Sequence, residues 1–295
     1  MSTFATPKFY RAAAVTAVGK LELIDVEWKE PQPGYVVLKV DACGICRSDE
    51  ATVNQYVPIS LPRIPGHEIA GTIVAVHSSE KEWKVGQKTG AGWHGSHCFE
   101  CDSCKSGDFN TCDKEQINGV TMDGGYAKYA TLRSECLVPQ TVRRSGSDVD
   151  ADSMRNMGAN PGDIVAIQGI GGIGHLAIQY ARAMGFKTIA LSTSDSKREL
   201  ASNWDLVESL AVGGTLLLLA VIPKDLSIPA LPMVGKRLSI RGWPAGTPKD
   251  IEETVTFSKL ANISTQMQKY PLEKVLEAYD SMITGTAKFK AVFIP

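Results

Sequence analysis

Four cysteines fall within fifteen residues, in the stretch Cys98-Phe-Glu-Cys101-Asp-Ser-Cys104-Lys-Ser-Gly-Asp-Phe-Asn-Thr-Cys112, spaced C-x2-C-x2-C-x7-C. No other feature limits the possible folds as tightly. A structural zinc site needs four donors closed into a tetrahedron, and thiolates at these intervals can supply all four from one loop. The same residues could be buried thiols or disulfides. The N-terminal stretch Met1-Ser-Thr-Phe-Ala-Thr-Pro-Lys8 lacks the apolar core of a secretory leader, however, and evenly spaced cysteines in such a chain read as metal ligands.

With 295 residues the chain has room for two domains. Its 43% apolar and 21% charged composition is that of a soluble globular protein, and a formal net charge of -1 leaves no basic footprint for nucleic acid. The longest apolar run, Thr215–Ile222, is far too short to span a bilayer and suits a buried strand. A cytoplasmic location with neither membrane nor nucleic-acid partner is the expectation.

Short strands are expected at Tyr10–Val15, Leu21–Val26 and, after the breaker Pro31-Gln-Pro-Gly34, Val36–Val40. Then come Cys46-Arg47-Ser48-Asp49 and Pro65-Gly66-His67-Glu68. A cysteine and a histidine on neighbouring loops can share a catalytic zinc, which takes three protein ligands and one open position; either residue alone could equally be core or surface. Further on, Asp163–Gln168 is an apolar strand leading into Gly169-Ile-Gly171-Gly172-Ile-Gly174 and an amphipathic helix. In strand–turn–helix context such glycines let a pyrophosphate approach the helix N-terminus. The next strand, Thr188–Leu191, ends in Ser192-Thr193-Ser194-Asp195-Ser-Lys197-Arg198. An NAD site usually has an acid at that strand end; small hydroxyls and a cation suit the extra phosphate of NADP, and they also suit a helix cap.

Taken together, these stretches resemble the zinc-containing medium-chain dehydrogenase/reductase (alcohol dehydrogenase) family, and within it the NADP-dependent, cinnamyl-alcohol-dehydrogenase-like branch. The resemblance implies an α/β-plus-β fold. A GroES-like β-barrel catalytic domain would occupy residues 1–145, with the structural-zinc lobe at about 92–118, a Rossmann cofactor domain 146–265, and a C-terminal return to the catalytic domain 266–295. It implies structural zinc on Cys98, Cys101, Cys104 and Cys112, catalytic zinc on Cys46 and His67 with Glu68 nearby, and Asp49 orienting the ligands. Ser48 would relay the alcohol proton, and Trp93 would wall the substrate pocket, with Tyr56 and Val57 as further apolar candidates. NADP would lie on Gly169, Gly171, Gly172 and Gly174, on Ser192, Thr193, Ser194 and Lys197, and on Arg47. The substrate would be a small alcohol or aldehyde, and the assembly a homo-oligomer.

The chain also departs from that family. Ala51 stands where a histidine often continues the proton relay. The third zinc cysteine of the family has no counterpart in Gln140–Gly158, no cysteine follows Cys136, and the only later histidine is His175. Glu68 would have to complete the site. Only four cofactor-domain strands can be found, Ile164–Gln168, Thr188–Leu191, Thr215–Val221 and Leu238–Arg241, against the six of a complete doubly wound sheet. Two internal blocks are missing, so the cofactor domain is expected to be incomplete and its remaining strands to have bared apolar flanks. Two other readings stand beside the alcohol dehydrogenase: a metal-independent enone or quinone reductase of the same superfamily, and a non-catalytic protein that holds zinc or NADPH.

Overall fold

The computed structural model describes residues 4–139, 148–191, 207–219 and 226–295. They fall into two units, one of Met1–Asp148 with Ala245–Pro295 and the other of Val149–Pro244.

The first unit begins with a hairpin. Strands β1 (Phe9–Ala17) and β2 (Lys20–Glu27) run antiparallel around Gly19, whose φ of +73° suits glycine in so tight a turn. Strand β3 (Tyr35–Gly44) is the hub of a separate sheet. It pairs antiparallel with β4 (Glu68–Val76) along its length, and β4 pairs with β5 (Lys88–Ala91). After the short pair β6 (His94–Ser96) and β7 (Gln116–Ile117) come β8 (Tyr129–Arg133) and β9 (Leu137–Pro139). Strand β8 takes the first half of β3, and β9 closes on β5. The far end of β3 is paired from the C-terminal part of the chain, through β15 (Lys290–Ile294), which in turn pairs with β14 (Met267–Pro271). The path β14-β15-β3-β4-β5-β9 has two ends, so the expected barrel is an open sheet by hydrogen bonding. The β1–β2 hairpin meets neighbouring segments through isolated bridges, Ala12 to Ala127 and Val15 to Arg63, and through the Gly19 N–H, which donates to the Val53 carbonyl.

Register places the site. Gly44 at the end of β3 lies opposite Glu68 at the start of β4 and opposite Val292 in β15. Cys46 and His67 therefore emerge side by side, and Lys290 arrives from a strand more than two hundred residues later. Beneath them lies one apolar core, including Val36, Leu38, Cys43, Ile45, Ile69, Tyr126, Leu272 and Phe293.

The second unit holds β10 (Ile164–Gln168), β11 (Lys187–Leu191), β12 (Thr215–Leu218) and β13 (Ser239–Gly242), the four strands expected there. They form two parallel pairs, β10 with β11 and β12 with β13. Among the described residues neither pair gains a third strand. Parallel strands are normally covered on both faces, yet Ile164 is 68% exposed and Ile189 47%. Two apolar side chains of the β10–β11 pair are thus open to solvent. No helix among the described residues is long and apolar enough to cross a membrane.

Candidate metal and cofactor sites

The ligand atoms of Cys98, Cys101, Cys104 and Cys112 lie within 4.8 Å of one another. Local backbone N–H groups point at two of these sulfurs, Cys98 and Cys112. The Cys98 sulfur accepts from the backbone N–H of Glu100 and of Cys101, both at 3.4 Å, and these donors bring its pKa down to about 6. The Cys112 sulfur accepts from the N–H groups of Cys98 and Lys114, each at 3.3 Å. Cys104 is pushed up to about 12 by burial and by bonding to the neighbouring sulfurs. Four thiols this close cannot all ionise unaided; a divalent cation is the group that lets them.

A second cluster forms where the sheet register leads. Ligand atoms of Cys46, His67 and Glu68 also lie within 4.8 Å of one another, with Cys46 and His67 buried. Asp49, in the single 3-10 turn Arg47–Asp49, folds back so that its Oδ2 accepts the Cys46 N–H at 2.9 Å. Its Oδ1 stands 3.1 Å from His67 Nδ1, an ion-pair contact that is not aligned as a hydrogen bond. With Nδ1 turned to Asp49, Nε2 is the His67 nitrogen available to a metal. Burial alone would depress the imidazole pKa, but the Asp49 carboxylate outweighs it and holds the value well above that of an ordinary histidine. Thiolate, imidazole and carboxylate are donors that zinc accepts, and three of them leave a position for substrate. The residues present fit the ion.

Trp93 meets His67 edge-on, ring centroids 4.8 Å apart at 82°, where a pocket wall is expected. Ser48 is half-buried in the turn, and Ala51 behind it is buried. Arg47 is exposed, its Nε 3.4 Å from Glu50 and its Nη1 donating to the Ile283 carbonyl. Tyr56 and Val57 are exposed.

Four contacts had no signature in the sequence. The Lys290 ammonium, 5% exposed as a residue, pairs with Glu68 Oε1. The Tyr126 hydroxyl donates to Asp49 Oδ2 at 2.7 Å. His94 Nδ1 lies 2.9 Å from Glu115, and its Nε2 lies 3.0 Å from Nδ1 of His97, tying β6 to the cysteine lobe.

In the second unit, the glycine turn leads into the helix Gly174–Ala183. Gly169 has φ +87°. A Cβ on Gly174 would stand 1.8 Å from the Gly169 carbonyl oxygen, whereas one on Gly171 would meet nothing within 4 Å. So Gly174 is required by close packing, and Gly171 borders open space beside a helix N-terminus. The His175 side chain turns back to the Gly171 carbonyl, 3.0 Å from Nδ1. Ser192, Thr193, Ser194 and Lys197 lie outside the described residues, as does most of the helix expected at Glu199–Leu210.

Residues 32–142 match the family model described as alcohol dehydrogenase GroES-like domain. Over 338 aligned positions the chain is 34% identical to "Alcohol dehydrogenase notN" of an Aspergillus species, covering 97% of this chain and 98% of that protein. The chain belongs to the zinc-containing medium-chain alcohol dehydrogenase family. An alcohol dehydrogenase of Geobacillus stearothermophilus is 30% identical over 96% of this chain and 98% of its own. Among solved structures, the cobalt- and zinc-bound thermostable alcohol dehydrogenase of Pyrobaculum aerophilum superposes with a TM-score of 0.87 at 23% identity, over 97% of this chain and 100% of that one. The Helicobacter pylori CAD complexed with NADP(H) also reaches 0.87, at 21% identity, over 97% and 98% of the two chains. The first alignment is longer than this 295-residue chain, so that relative carries residues where this dehydrogenase has none.

Proposed function

We propose that the protein is a cytoplasmic NADP-dependent alcohol dehydrogenase that interconverts small alcohols with aldehydes or ketones. The observation that carries this reading is the convergence of Cys46, His67 and Glu68, with Trp93 against His67. These three side chains would hold the catalytic zinc, and the four-cysteine lobe the structural one. When bound, the catalytic ion supplies polarisation of the alcohol or carbonyl oxygen, and the nicotinamide supplies or accepts the hydride.

The protein's own residues do the rest. Asp49 fixes the face that His67 presents. Trp93 lines an apolar wall that keeps water from the reacting carbon. Ser48 accepts the alcohol proton and passes it to solvent without a histidine beyond it, since Ala51 offers no acceptor. The open space at Gly171 and the helix N-terminus after it suit a pyrophosphate. An NADP preference rests on Ser192 and Lys197, as read from the sequence.

The test is zinc per chain by elemental analysis after buffer exchange, with NADPH oxidation followed on a panel of aryl and alkyl aldehydes. Two equivalents and turnover abolished by Cys46→Ala are expected. One equivalent, lost only when Cys98–Cys112 are changed, with no turnover, would overturn the reading. The exposure of Ile164 and Ile189 in β10 and β11 favours one alternative, a zinc protein whose cofactor unit no longer retains NADPH; measurable NADPH binding counts against it.

A further inference from the structure

Tyr126 has no place in the chemistry described so far, yet it is fully buried beside the second cluster and makes a polar contact there. Its ring stacks edge-on with Phe293 at 5.2 Å. Its hydroxyl has one acceptor, Asp49 Oδ2, at 2.7 Å. Asp49 is 1% exposed, and its Oδ1 has no aligned donor. The carboxylate therefore takes its aligned hydrogen bonds through Oδ2, from the Cys46 N–H and the Tyr126 O–H, while Oδ1 meets His67 as an ion pair. Among the described residues these two donors fix Oδ2, and with it the way Oδ1 is set against His67 Nδ1.

The same tyrosine also holds the backbone that carries His67. The Tyr126 N–H donates to the Pro65 carbonyl at 3.0 Å, and the Gly125 N–H to the Gly66 carbonyl at 2.9 Å. A Cβ on Gly66, at φ +98°, would lie 2.3 Å from the Tyr126 ring. Ring and backbone thus press the Pro65–Gly66 step into place immediately before the imidazole, while the hydroxyl sets the carboxylate behind it.

We infer that Tyr126 is a positioning residue for the Cys46–His67–Glu68 metal site, acting through Asp49 on the orientation of His67. This rests on the metal-site reading given above. Without the hydroxyl, Asp49 Oδ2 loses one of its two donors in a water-poor interior, and the carboxylate keeps only the Cys46 N–H as an aligned hydrogen bond against turning about its Cβ–Cγ bond. The partner that fixes the donor nitrogen of His67 is then less firmly set. Loss of such outer partners typically weakens a metal site about 10–100-fold.

Tyr126→Phe removes only the oxygen and keeps the ring that packs against Gly66 and Phe293. The four-cysteine lobe serves as a control within the same molecule. The experiment titrates the full-length zinc-loaded protein with a chelator and measures release of each equivalent; a parallel sample loaded with Co²⁺ is followed by its visible absorption. The expected result is about 10–100-fold easier loss of the second equivalent in Tyr126→Phe, with altered cobalt bands for that site and an unchanged four-cysteine equivalent. A purely structural role would lower the melting temperature and shift both equivalents or neither, and would overturn the inference. So would a variant indistinguishable from the parent at the second site, a result that leaves the metal reading standing. A parent protein that binds one equivalent alone would overturn both.

Discussion

At the scale of single residues, the two cysteine environments make opposite demands on the thiol. Cys98 is aimed at by two backbone N–H groups and sits at about 6, whereas Cys136, fully buried, is pushed up to about 12. In chelated protein, alkylation at Cys98 should rise with pH through about 6 and then level off as the thiolate saturates, while Cys136 stays unreactive in the native state. Zinc should suppress the Cys98 reaction; mass-spectrometric mapping of iodoacetamide adducts reads both effects. The Lys290–Glu68 pair makes a different prediction, because removing one partner of a buried ion pair leaves the other charge stranded. In urea, Lys290→Met should cost about 3 kcal/mol in metal-free protein. It should cost less when zinc is bound, because the ion compensates the Glu68 charge. Equal losses in the two states would rule out Glu68 as a ligand.

At the scale of elements, the site is a product of strand register, which explains which parts were readable from sequence. Cys46, His67 and the four-cysteine lobe announce themselves because each lies in a short local pattern. Lys290 could not, standing 222 residues from Glu68 and brought there only because β15 pairs with Cys43 and Gly44 at the end of β3. Tyr126 sits in a recognisable Gly-Gly-Tyr run, but that pattern says only that a strand follows, not that its hydroxyl reaches a carboxylate 77 residues away. The first three strands and the four of the second unit were legible from short apolar stretches between turn residues, whereas β4, β5, β9 and β14 were not read. The open course of the sheet was not, because whether β14 and β9 meet depends on long-range pairing that no local pattern encodes. The glycine run offers an element-level test. A Cβ on Gly124 would stand 2.1 Å from the Gly66 carbonyl oxygen, a backbone atom that cannot move without carrying His67 with it. Gly124→Ala should therefore destabilise the fold by about 1–3 kcal/mol and loosen the second metal together. Urea unfolding and chelator competition on the same preparation would show whether the two effects arrive as one.

For the molecule as a whole, the two units differ in how well they are finished. The first buries Ala12, Leu38, Ile73, Tyr126 and Phe293 completely; the second buries Tyr180 and Ala181 as fully but leaves Ile164, Ile189 and Leu191 between 40% and 68% exposed on the β10–β11 pair. Local stability follows burial. Limited proteolysis should cut first within Val149–Pro244, and NADPH should slow that cleavage in proportion to its occupancy, since a ligand that binds only the folded unit stabilises it. Uniform cleavage across both units would contradict this. The edge-on meeting of Trp93 with His67 has a consequence of an optical kind. His67 has a fluorophore beside it, and a protonated imidazole or a transition ion with visible absorption quenches a neighbouring indole whereas zinc, with a filled d shell, absorbs none of its light. The chain has five tryptophans, so the difference in indole emission between the parent and Trp93→Phe, with cobalt and with zinc, isolates the indole beside His67 as a gauge of what the protein holds.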